Sequence, residues 1–264
     1  MIGNGRLRRH ECVVVDLNTQ RDFCHPAGLS PVANVHDLIP ALRHIVAWTK
    51  RNGAPVVSSI ESHRESDFTE LRQPFGCLDG SVGQRKIDFT VFRPCTYVEV
   101  DNMLCCPIDL FNQFQQVIFC KRSCDLLSNP KADRFFNVVS TGEFILFGVA
   151  MEESVKALAL GLMARNKRVS IVVDACGYWH KPTADLTVRQ LSAKGARMLT
   201  VADLLQRKLQ RRFRYTTPRG SGMIERPVPS QHGAGSRNGR GHGNGHLRTA
   251  PPTPKPLNEQ TGRS

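Results

Sequence analysis

The sequence predicts an α/β fold in three layers, a mainly parallel sheet between two layers of helices. Two observations carry this: short β-branched runs recur through residues 11–205, and stretches of helical periodicity lie between them. Strands that alternate with helices need crossover connections, which are right-handed and leave helices on both faces of a parallel sheet.

The runs are ECVVVD (11–16), APVVSSI (54–60), QVIFC (116–120), EFILFGV (143–149), RVSIVVD (168–174) and RMLTV (197–201). They are too continuously apolar for strands with one wet face, so each reads as buried on both. Between the first two, NVHDLIPALRHIVAWTKRNG (34–53) carries apolar residues at 35, 38, 39, 42, 45 and 46. That is helix spacing, and Gly53 stands where a C-terminal cap is expected. Helices also read over 151–167 and 183–195, the latter closing on Lys194-Gly195.

With 264 residues and 40% hydrophobic content, the chain can bury one large core. The expected organisation is an N-terminal extension (1–10), one domain (11–205) and a basic Gly/Pro-rich tail (206–264). The tail holds twelve Lys/Arg against two Glu, so it supplies +10 of the formal +13 and the domain is nearly neutral. Segments such as SRNGRGHGNGH and TAPPTPKP contain too little apolar surface to offset their ordering entropy, and disorder is expected beyond about Tyr215. The tail's charge suits acidic partners or RNA, and its plainer role is a solubilising appendage.

No apolar stretch reaches the roughly 18 residues of a membrane span, and Met1 to Glu11 lacks the apolar middle of a signal peptide. A soluble, cytoplasmic protein is expected. The nine cysteines are odd in number, scattered through apolar segments and free of any CxxC pair. They read as reduced core residues rather than a disulfide framework or a zinc ribbon.

Open parallel sheets bind ligands beyond the carboxyl ends of their strands. Asp16 closes the first run, Lys121 follows QVIFC, and Ser154 stands five residues past Val149 where a helix begins. A carboxylate, an ammonium and a hydroxyl gathered there would make base, charge partner and nucleophile for acyl transfer. Each also has an ordinary reading, as turn cap, solvated lysine and helix cap.

Four motifs add a resemblance to a known family. DLNTQRDFCHPAG, FGCLDGSVGQ, VIFCKR and GVAMEESVKALALGLMARNKRVSIVVDACG resemble, in order, the signatures of the isochorismatase-like cysteine hydrolases. That superfamily includes isochorismatase, nicotinamidase and N-carbamoylsarcosine amidase, and the resemblance spans nearly all of residues 11–205. It implies that Asp16 accepts a proton and that Lys121 stabilises the charged pair. It also implies oxyanion donors on the backbone of Ala150 and Ser154, with a cis bond between Val149 and Ala150. The family's nucleophile is a cysteine, and counting from Gly148 its place is held by Ser154.

An alcohol is far less acidic than a thiol and needs a strong positioned base, so the substitution lowers the expected activity. Of the acidic run before it, Glu153 also suits the helix dipole. SIESHRESDF partly matches the metal motif of nicotinamidases and offers Glu61, His63 and Asp67 as ligands for a divalent metal. Members acting on isochorismate or carbamoyl groups have no metal, and no cofactor is expected. Phe23, Phe75 and Trp179 are the candidate substrate-pocket aromatics, with core packing as their ordinary role. Two functions follow: a hydrolase of a small amide, ureide or enol-ether bond, or an inactive member kept as a ligand-binding or oligomeric interaction module. The family also implies a homo-oligomer.

Overall fold

A computed structural model of the chain describes residues 9–64, 76–100 and 110–209. Seven strands form one sheet: β1 (Val13–Leu17), β2 (Val56–Glu61), β3 (Cys95–Val98), β4 (Gln116–Lys121), β5 (Phe144–Val149), β6 (Val169–Gly177) and β7 (Arg197–Leu199). Their order is β3-β4-β2-β1-β5-β6-β7, and every pairing is parallel. The helices are α1 (Arg21–Cys24), α2 (Val35–Asn52), α3 (Pro130–Val138), α4 (Lys156–Ala164), α5 (Lys181–Ala193) and α6 (Val201–Gln206). The three-layer α/β architecture expected from the alternation is the one observed.

Side chains in a strand alternate between faces, and the core divides accordingly. Val13, Val15 and Leu17 of β1 join a cluster with Phe135 and Phe136 of α3, Leu158 and Leu162 of α4 and Leu191 of α5. Val14 faces the other layer, with Phe147 of β5, Leu38, Leu42 and Trp48 of α2, and Leu204 of α6. No helix among the described residues is long and apolar enough to cross a membrane.

The expected helix over 34–53 is α2, closed by Gly53 in the left-handed conformation. The expected helix over 183–195 is α5, which starts two residues earlier and ends at Ala193 before Gly195. The expected helix from 151 is two elements, a π-helical turn over Met151–Val155 that runs into α4. Four elements were not foreseen, among them the one-turn α1. β3 is a half-exposed edge strand of four residues and shows no apolar run. α3 does carry a start signal, since Asn129 accepts from the N–H groups of Lys131 and Ala132 while Pro130 occupies the first turn. α6 is six residues long and opens with a capping box between Thr200 and Asp203.

The compact unit extends past residues 11–205 at both ends. His10, assigned to the extension, is buried and bridges to Thr141. Arg207, assigned to the tail, accepts at its carbonyl from Trp48 Nε1 at 2.8 Å and pairs with Glu143 at 2.6 Å. The proposed disorder beyond Tyr215 lies outside the described residues.

β1 runs one residue further than the sequence indicated, to Leu17, so Asp16 lies within the strand. The chain crosses from one side of β1 to the other between β4 and β5, which makes the β1/β5 junction the point where loops diverge and a ligand crevice forms. Gly148 stands at that junction in register with Leu17, at φ +117, and a Cβ there would collide with the Leu17 carbonyl oxygen. Only glycine meets both conditions. Gly148→Ala is expected to destabilise the fold by about 2 kcal/mol or more, read as a lowered urea midpoint at unchanged slope.

Candidate functional site

Four strand ends deliver the site. Lys121 is the last residue of β4 and Glu61 the last of β2, and the two are register partners across that pair. Both lie on the α3–α5 face, because they share the alternation of Phe119 and Val57. Lys121 is completely buried, and its Nζ lies 2.9 Å from Glu61 Oε1. It also donates to the carbonyl oxygens of Ser123 (2.8 Å) and Cys124 (3.3 Å), and it lies 3.3 Å from Ser154 Oγ. A buried ammonium survives only if paired and hydrogen-bonded, and this one is both.

Asn18 completes the group. It follows β1 at φ +49, a left-handed conformation that asparagine tolerates well. Its amide nitrogen lies 2.9 Å from Ser154 Oγ, 2.9 Å from Glu61 Oε1 and 3.0 Å from the Val149 carbonyl oxygen. Its amide oxygen accepts from Ser59 Oγ at 2.6 Å, and the Glu61 carboxylate and Val149 carbonyl, which can only accept, fix the nitrogen on the side of the serine. Ser154 is 1% exposed and lies in the π-helical turn after β5. The turn starts with the cis bond between Val149 and Ala150 that the family resemblance implied. Ala150, the other backbone oxyanion candidate, is likewise buried, and its carbonyl accepts from Glu153 (3.2 Å) and Val155 (3.0 Å).

Asp16 is a correction. The structure brings together Lys121 and Ser154 and places Asp16 elsewhere, because alternation aims it to the α2 face with Val14. There its Oδ2 accepts from Lys86 Nζ at 2.8 Å and Ser58 Oγ at 3.4 Å, while Lys86 also donates to Thr19 Oγ1 at 2.7 Å. The position facing Ser154 belongs to Asn18, which the sequence reading passed over. Its signal was present: an asparagine directly after an apolar run favours a left-handed turn, and that turn re-aims the side chain.

The electrostatics follow from the geometry. Burial acts to raise the Glu61 carboxyl, but the Lys121 charge and the His63 hydrogen bond outweigh it and hold it at about 2. Glu153 is pushed the other way, by burial and by the negative charges of Glu61 and Glu152, with Lys121 opposing. Ser154 Oγ thus faces two donors, the Asn18 amide and the Lys121 ammonium. The carboxylate beside them is held in its ionised, weakly basic form. An amide nitrogen cannot take a proton from an alcohol.

The buried thiols are shifted toward their neutral form. Desolvation pushes Cys12 and Cys24 up to about 12 and raises Cys77 and Cys176 as well. All seven described cysteines are free, as expected of reduced residues.

The candidate metal ligands Glu61 and His63 do not suit a cation as placed. Glu61 Oε2 is 3.0 Å from His63 Nε2 and its Oε1 is committed to Asn18 and Lys121, whose positive charge opposes a cation. Asp67 lies outside the described residues, and among these no cluster of three or more metal-ligating side chains occurs. Phe23 is 1% exposed and packs edge-on against Trp179 at 5.6 Å, in the layer of α2. Trp179 Nε1 donates to the Ser30 carbonyl at 3.1 Å. These are core contacts rather than a pocket wall beside Ser154, and Phe75 lies outside the described residues.

The family model described as the isochorismatase domain matches residues 12–203. The chain belongs to the isochorismatase domain family. Among solved structures, an isochorismatase family protein from Desulfovibrio vulgaris aligns over 74% of this chain and 96% of its own, at 15% identity and TM-score 0.60. The pyrazinamidase of Pyrococcus horikoshii, solved in complex with zinc, aligns over 72% and 99% at 20% identity and TM-score 0.58. The MAR1 ribonuclease of Caenorhabditis elegans aligns over 76% and 82% at 13% identity and TM-score 0.51. A search of curated proteins returns no match. At these identities the likeness is one of fold, so the site of this isochorismatase-family chain has to be read from its own residues.

Two measurements check the site. The Glu61 carboxyl is depressed from 4.5 to about 2, so its pairing contributes stability that is fully present above about pH 4.5 and is lost as pH falls through about 2. Glu61→Gln is therefore expected to flatten the acid limb of the stability curve in that window and to cost about 3 kcal/mol at neutral pH by stranding Lys121. Asp16→Ala is expected to cost a similar amount, about 3 kcal/mol, because Lys86 then lies buried without its counter-charge. Denaturant unfolding of both variants at neutral pH reads these losses.

Proposed function

We propose that this isochorismatase-family chain uses the site to hold a small molecule through a carbonyl or carboxylate oxygen and does not carry out nucleophilic turnover. One observation carries the reading: an amide nitrogen, that of Asn18, lies 2.9 Å from Ser154 Oγ where acyl transfer requires a base. The two groups within hydrogen-bond reach of Ser154 Oγ, the Lys121 ammonium and the Asn18 amide, are donors, and a ligand oxygen would compete with Ser154 for them. Donors converging in a buried site favour an acceptor-bearing ligand, and amides and ureides present such an oxygen.

A second reading has an observation in its favour. Lys121 stands 3.3 Å from Ser154 beside a cis turn, an arrangement that suits hydrolysis of a small amide, ureide or enol-ether bond. The pyrazinamidase among the structural neighbours brings amides into that reading. Assembly into a homo-oligomer and recruitment of an acidic partner or RNA by the basic tail belong to the proposal for either reading.

Assay of the purified full chain against a panel of small amides, ureides and isochorismate separates the two. The binding reading expects no turnover by the natural protein or by Ser154→Cys alone. It expects hydrolysis to appear when Asn18→Asp is added to Ser154→Cys, since the pair restores thiol and base together. Turnover by the natural protein that Lys121→Met abolishes would establish the hydrolase instead.

A further inference from the structure

A second site lies on the opposite side of the sheet from Ser154. A cleft of about 620 Å³ opens between α1, the N-terminal half of α2 and the one-turn 3-10 helix Asp88–Thr90. None of its lining residues contacts Ser154, Lys121 or Glu61, so the inference does not rest on the function proposed above. A volume of that size falls in the range of small-ligand sites.

Its walls have a definite chemistry. Arg21, His25, His36 and Arg43 line one cavity, with Asp88 as its only acidic residue. Among the described residues neither guanidinium has a carboxylate partner, although each of these side chains is at least partly exposed. Two unpaired guanidiniums facing one space are suited to phosphate, which they can bind with paired N–H donors. Arg43 is also stacked, with its Cζ 4.3 Å from the centre of the Phe89 ring. Stacking uses the flat face of a guanidinium and leaves its rim of donors free.

The remaining lining narrows the ligand. Phe89, Ile39 and Ile87 give the cleft a half-buried apolar patch that packs on the α2-side core, matching a planar ring. Asp88 has no ion-pair partner among the described residues, and a carboxylate at a phosphate site would weaken binding unless the ligand offers it hydroxyls. A vicinal diol does so, by donating to the carboxylate as ribose does in nucleotide sites. Phosphate, sugar hydroxyls and a planar ring are the three parts of a ribonucleotide. We infer that this cleft binds a nucleoside monophosphate, with Arg21 and Arg43 on the phosphate, Asp88 on the ribose and Phe89 with its neighbours against the base.

Calorimetric titration of the full chain with AMP, 2′-deoxy-AMP, adenosine and inorganic phosphate tests it. AMP is expected to bind more tightly than adenosine or phosphate alone. Arg21→Gln and Arg43→Gln should each weaken AMP by about tenfold, while the basic tail is left untouched in both. Asp88→Asn should erase the preference for AMP over 2′-deoxy-AMP, with melting temperatures of all three variants unchanged. AMP affinity that survives the double Arg21→Gln/Arg43→Gln change would place binding outside the cleft and overturn the inference. So would no AMP binding at about millimolar concentration, or binding of a short RNA without binding of AMP.

Discussion

The candidate site depends on keeping one buried ammonium satisfied. Lys121 ends the strand next to the sheet edge and has no access to water, where an unpaired charge would cost several kcal/mol. The sheet meets that demand by register, since parallel pairing of β2 and β4 puts Glu61 beside it. Once Glu61 is fixed as an anion, Asn18 and His63 fill its remaining acceptor capacity, and Ser154 receives what is left of Lys121 and Asn18. Gln20 reinforces the arrangement from below, donating to the Glu61 carbonyl at 2.8 Å and accepting from its N–H at 2.7 Å. The geometry around the serine is thus a consequence of neutralising the lysine.

Two buried polar networks share β1 without touching. Asp16 with Lys86 serves the α2 face, and Asn18 with Glu61 and Lys121 serves the α3–α5 face and the strand ends. A period of two along a continued strand would put Asp16 and Asn18 on the same face. The left-handed turn at Asn18 is what lets a residue of the same parity as Asp16 reach the other side. The resemblance to the cysteine hydrolases implied a proton-accepting aspartate here, and the structure supplies an amide where that acceptor would be needed.

Most of the fold was legible because continuous apolar runs and helical spacing are strong signals. Lys121, Ser154 and the cis bond before the π-helical turn were legible as well, through motif order. β3 was not, since an edge strand of four half-exposed residues carries no hydrophobic pattern. The identity of the residue facing Ser154 was lost for a different reason. In DLN, β1 runs past Asp16 to Leu17, and the left-handed turn at the next residue brings Asn18 rather than Asp16 to the crevice. Glu61 was read as a metal ligand because its spacing to His63 is visible in the sequence, whereas its partner Lys121 lies sixty positions away.

The central claim is that Asn18, and not Asp16, faces Ser154. The ionisation of a thiol placed there by Ser154→Cys tests it most directly, followed by thiolate ultraviolet absorbance against pH with the natural protein subtracted. Adding Asn18→Asp should raise that thiol's pKa by about one unit or more, since a negative charge then adjoins it, while adding Asp16→Asn should leave it within a few tenths. A larger response to Asp16→Asn than to Asn18→Asp would contradict the account.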